Sequence, residues 1–123
     1  YAVEAGSVDA ARLLLDRGAD VNRKNGYGKT PLLQACLDGR LEMVSLLLLR
    51  GADPSLYSIR EVTPLMAASS GEERLGSDHV AVIRLLIKDG RVPVDARDTW
   101  GSTALWQACE FGRTERARVL LVE

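Results

Sequence analysis

Apolar residues fall along the chain in short runs with helical spacing, and each run is closed by glycine, proline, asparagine or aspartate. The clearest stretch lies between Gly28 and Pro54 and reads as two short helices back to back. Thr30 is placed to cap the first helix through its hydroxyl, and Pro31 takes the first helical position, where a missing N–H costs nothing. Gly39 then offers a left-handed stop. A second run, Leu41, Met43, Val44, Leu46, Leu47 and Leu48, continues with the same periodicity up to Arg50 and Gly51. Arg50 suits the negative end of that helix, Gly51 its αL exit, and Ala52-Asp53-Pro54 a turn.

This unit recurs. Gly6 and Gly39, Gly18 and Gly51, and Thr30 and Thr63 are each 33 residues apart. Thr63-Pro64-Leu65 repeats Thr30-Pro31-Leu32, Thr103-Ala104-Leu105 repeats it again, and Gly18-Ala19-Asp20 matches Gly51-Ala52-Asp53. A 33-residue period with TPL opening the first helix and GAD closing the second resembles the ankyrin repeat over the whole chain. The resemblance implies a mainly α fold, an ankyrin-repeat solenoid of stacked antiparallel helix pairs joined by β-hairpin or loop fingers. Residues 1–123 then form one domain: a partial repeat at 1–24, a repeat at 25–57, a repeat with an inserted loop at 58–97 and a partial repeat at 98–123.

Departures from the period carry their own expectations. Tyr1 aligns with Gln34, so the chain opens part-way through a first helix. In the third repeat six residues are added within SSGEERLGSD, which predicts a mobile surface loop at about Ser69–Asp78. Glu61 stands where the neighbouring fingers have Gly28 and Gly101, leaving the type of that turn open. Arg116 occupies the position of Ala10, Met43 and Val82, and a charge there suits the polar outer face of a terminal repeat. Cys36 and Cys109 share one register position two repeats apart, too far for a bridge, and read as small core residues in a reducing compartment.

Composition narrows the chemistry. With 16 Lys+Arg against 17 Asp+Glu there is no electrostatic footprint for nucleic acid, and no apolar run approaches the roughly 20 residues that span a bilayer. The one histidine, His79, follows Ser77 and Asp78 in the chain, an adjacency that makes no catalytic triad. Two separated cysteines and one histidine make no closed zinc site, and the glycines belong to turns rather than to a phosphate-cradling loop. No enzyme activity, metal, cofactor or small-molecule substrate is expected. Members of the resembled family often carry TPLH, whose histidine ties neighbouring repeats; here that position holds Leu33, Met66 and Trp106, so apolar packing is expected to replace the tie.

The six aromatics are informative by their placement. Tyr27, Tyr57 and Trp100 fall in or beside the fingers, Trp106 and Phe111 on the last first helix, and Tyr1 on the remnant of the first. Trp106 is expected to be buried. In the resembled family the fingers and the exposed side of the first helices form a groove that binds partners. The positions implied here are Tyr27, Lys29, Leu37, Asp38, Tyr57, Arg60, Arg97, Trp100, Ser102, Glu110 and Phe111, large aromatics flanked by charges. The function implied is a protein-interaction module, a scaffold or adaptor that binds a protein or peptide segment inside the cell, in cytoplasm or nucleus. The alternative is the targeting or substrate-recognition domain of a larger enzyme or channel.

Overall fold

A computed structural model describes residues 8–73 and 76–122, and the expected remnant of a first helix around Tyr1 lies outside them. Seven helices follow in order: α1 (Val8–Asp16), α2 (Pro31–Leu37), α3 (Leu41–Leu49), α4 (Pro64–Ser70), α5 (His79–Asp89), α6 (Ala104–Glu110) and α7 (Thr114–Val122). The first helices α2, α4 and α6 pack side by side in one layer, and the second helices α1, α3, α5 and α7 form the other. Between the layers lies one apolar core, built from Leu32, Leu33 and Cys36 of α2, Met43, Val44 and Leu47 of α3, Leu65 and Met66 of α4, and Val82, Ile83 and Leu86 of α5.

The local signals act as their chemistry requires. Thr30, Thr63 and Thr103 each accept, through Oγ1, the backbone N–H three residues on, at 3.1, 3.3 and 3.2 Å. Neighbouring repeats are also joined through polar groups: Asn22 accepts the Asp53 N–H at 2.9 Å.

The fingers are turns rather than hairpins, and no strand forms among the described residues. Each closes by the same pair of backbone bonds: Asn25 N–H to Lys29 O with Gly28 N–H to Asn25 O, Ser58 N–H to Val62 O with Glu61 N–H to Ser58 O, and Asp98 N–H to Ser102 O with Gly101 N–H to Asp98 O. Single bonds then link finger to finger, Ile59 N–H to Tyr27 O at 3.4 Å and Thr99 N–H to Arg60 O at 3.0 Å. The open question at Glu61 is answered by its φ of 60°, beside 75° at Gly28 and 79° at Gly101. The same turn forms with a side chain forced into the left-handed region. Glu61→Gly is accordingly expected to stabilise the fold by roughly 0.5–1 kcal/mol, the αL strain relieved less the added freedom of glycine when unfolded. A rise of a few degrees in melting temperature would show it, and a fall would mean that Glu61 is held by contacts worth more than its strain.

The insertion is not a free surface loop from end to end. Ser69 and Ser70 belong to α4, Ser69 is fully buried, and Gly71 is buried behind it. At the far end Asp78 caps α5 by accepting the Ala81 N–H, its own N–H reaches Gly39 O at 2.8 Å, and His79 is buried. Leu37 O, 2.9 Å from His79 Nε2, can only accept, so Nε2 carries the proton and Nδ1 is left without a partner. Burial holds the ring below its ordinary pKa, and the bond to Leu37 opposes this. The ring fits because Gly39 and Gly71 have no Cβ: one at Gly39 would stand 2.7 Å from the imidazole and one at Gly71 2.8 Å from Nε2. The polar tie missing from the TPLH position is thus supplied from the other helix of the next repeat.

Three further expectations are corrected. Arg116 is not a polar outer face but a buried side chain, 1% exposed, directed toward the end of α4. Trp106 is 60% exposed although Leu33 and Met66 at the same register are buried. Cys109 is exposed while Cys36 is buried in the core. Among the described residues α6 has another first helix, α4, on one side only, so the register positions that a following first helix would cover stay open.

Candidate functional site

The fingers and the first helices enclose a cleft of about 810 Å³. Its floor is apolar, from Leu33 and Leu37 of α2, Val62, and Ala67 of α4; its rim carries Tyr27, Ile59 and Trp100 from the fingers and Phe111 beyond α6. These side chains are available rather than packed on neighbouring fingers: Tyr27 is 74% exposed and Trp100 79%. Of the residues expected to form a binding face, Tyr27, Lys29, Leu37, Arg60, Trp100, Ser102, Glu110 and Phe111 line this one cleft.

Three do not. Asp38 is buried at the end of α2 and accepts from Gln34 Nε2 at 3.1 Å. Tyr57 turns to the first finger, where Lys24 sits 5.5 Å from its ring centroid and donates to its carbonyl at 3.1 Å. Arg97 is exposed outside the cleft. Sequence reasoning passed over the floor residues Leu33 and Ala67, because an apolar residue inside a helical period signals core whichever layer it faces.

The cleft is held in shape by bonds that need no ligand. Asp98 Oδ1 accepts the N–H groups of Trp100 and Ser102, both at 2.9 Å, and Oδ2 accepts from Gln107 Nε2 at 3.1 Å. That single carboxylate fixes the third finger to α6. In the first finger Asn25 Oδ1 accepts the N–H groups of Tyr27 and Lys29 in the same way, at 2.9 and 3.1 Å. The aromatic tips therefore stand on pinned backbone.

A second cleft of about 590 Å³ lies at the N-terminal end of the described structure, between α1, the first finger and α2, lined by Leu14, Leu15, Val21 and Pro31. Among the described residues no group of three or more His, Cys, Asp or Glu side chains is placed to hold a metal, and no helix is long and apolar enough to cross a membrane.

A family model described as ankyrin repeats (many copies) matches residues 1–48, and one described as ankyrin repeats (3 copies) matches residues 48–123. Curated relatives are similar over nearly the whole chain. A Caenorhabditis elegans homolog of transient receptor potential cation channel subfamily A member 1 is 36% identical over 120 residues, covering 98% of this chain and 9% of the channel. The ankyrin repeat and KH domain-containing protein mask-1 of the same organism is 31% identical over 116 residues, 94% of this chain and 4% of that protein. Cyclin-dependent kinase 4 inhibitor B of Bos taurus is 34% identical over 119 residues, 97% of this chain and 86% of the inhibitor. The chain thus spans less than a tenth of the first two relatives and most of the third.

Proposed function

Since the chain belongs to the ankyrin-repeat family, whose repeats are protein-interaction modules, we propose that it binds a protein or peptide segment through the cleft between its fingers and first helices. The observation that carries this reading is the pair Tyr27 and Trp100, large aromatics left in solvent on the rim of one cleft. Aromatics of this kind supply most of the energy in protein–protein contacts, and polar groups around them set the rim. The pinned finger backbone reduces the conformational entropy lost on binding. The chain acts without chemistry of its own and without nucleic acid or a small-molecule substrate as its target. Two free cysteines agree with a reducing compartment, cytoplasm or nucleus.

A second reading is that the array serves as a recognition domain of a larger enzyme or channel. It is favoured by the cation-channel relative, of which the matched segment is 9%.

Replacing both Trp100 and Tyr27 by alanine is expected to weaken binding of a partner recovered by affinity capture at least tenfold, about 1.4 kcal/mol. Circular dichroism and melting should stay near those of the unaltered chain. Glu42→Lys, on the exposed side of α3, is the matched control and should leave binding alone. Loss of binding in the control with retention in the double variant would place the partner on the second-helix face instead.

A further inference from the structure

Within the proposed cleft, charge is distributed unevenly. Lys29 and Arg60 both line it, and among the described residues neither side chain makes an ion pair or hydrogen bond. Asp98 directs its carboxylate oxygens to Trp100, Ser102 and Gln107 and forms no ion pair with either cation. Glu110 stands apart at the end of α6. The other two cations of the first finger, Arg23 and Lys24, line the second cleft instead, and Lys24 is held on Tyr57. The half of the cleft between the first and second fingers is therefore cationic, and beside it lies the apolar surface of Val62, Ile59 and Trp100.

We propose that the occupant of the cleft is a protein segment carrying an acidic side chain next to a large apolar one. The carboxylate sits between Lys29 and Arg60, and the apolar side chain lies against Val62 and Trp100. This rests on the cleft being the binding face. Arg60 presents a planar fork suited to a carboxylate, and Lys29 adds a mobile point charge beside it. On a rim of this exposure charge acts mainly on partner choice and association rate, while the aromatics supply affinity.

The test is selection of peptides from a phage-displayed library of random 12-residue sequences, with the whole 123-residue chain as bait. Peptides bound by the unaltered chain should be enriched in Asp or Glu beside Leu, Ile, Phe, Tyr or Trp. Lys29→Glu combined with Arg60→Glu should weaken the selected peptides at least about tenfold and, used as bait, should select Lys or Arg in place of the acids. Neither side chain has a partner to lose, so unchanged melting is expected for this variant. A pool without acidic enrichment, or one whose affinity survives both charge reversals, overturns the acidic partner. If such peptides are nevertheless lost on Trp100→Ala, the cleft remains the binding face and only its charge preference was misread. Peptides that survive the aromatic and the charge changes alike overturn the cleft as well.

Discussion

Leu47→Ala is expected to lower the free energy of unfolding by about 2–5 kcal/mol. Leu47 is 2% exposed, in the second turn of a helix that packs on α1 to one side and α5 to the other. Truncation removes three carbons from that seam, and the backbone cannot close the void. The Leu47 carbonyl is held by the Ala52 N–H at 2.9 Å, which fixes where the chain leaves α3. Such a loss is a large part of the 5–15 kcal/mol that an ordinary domain has. Its reach matters as much as its size, because a repeat is stabilised by the interfaces to its neighbours. The urea midpoint should fall with little change in slope, and amides of α1 and α5 should lose exchange protection along with those of α3. An unshifted midpoint would show that Leu47 carries no packing. A shift with protection lost in α3 alone would show that the repeats open independently.

What the sequence made legible was governed by neighbours a few residues away. The threonine caps, the glycine exits and the helical spacing of Leu41 to Leu48 are decided within one turn, and each appears where its pattern placed it. The eight cleft residues were expected from the groove of the resembled family, carried onto this chain by its repeat period, and the cleft gathers them. Trp106 and Cys109 were misjudged because their register is buried only when another first helix lies beyond it. Glu61 keeps the geometry of its glycine counterparts at a cost in strain that neighbouring turns impose through Thr99 and Ile59. The tie made by His79 went unforeseen and Arg116 was misread, and both act across more than forty residues of chain.

Arg116 has the larger lesson, and Arg116→Met is expected to cost about 2–4 kcal/mol, more than a surface cation would. In the second repeat the chain turns sharply after α2, so Gly39 N–H bonds Cys36 O at 3.1 Å and Arg40 N–H bonds Ala35 O at 3.0 Å. In the fourth, Gly112 and Arg113 do the same for Cys109 and Ala108 at 3.1 and 2.8 Å. In the third repeat the insertion carries the chain away after Gly71, whose φ of −57° and ψ of 146° are extended rather than left-handed. The corresponding carbonyls, Ala68 and Ser69, thereby lose those backbone donors. Arg116 Nη1 takes their place, 3.1 Å from Ala68 O, 3.3 Å from Ser69 O and 2.6 Å from Gly71 O, while Nη2 pairs with Glu73 at 2.9 Å. A guanidinium from α7 thus closes the end of α4, suited by its fan of donors and by the negative end of the helix. Methionine fills similar space and donates nothing, leaving buried carbonyls without partners. The cost should depend on the insertion. Replacing Gly71–Asp78 by Asp-Gly, the form at Asp38-Gly39, restores the two backbone donors to Ala68 and Ser69. In that background Arg116→Met should cost under about 1 kcal/mol, a coupling of at least about 1–2 kcal/mol in the double-mutant cycle. Equal costs in the two backgrounds would mean that Arg116 contributes only bulk to the core, and that α4 ends without need of it.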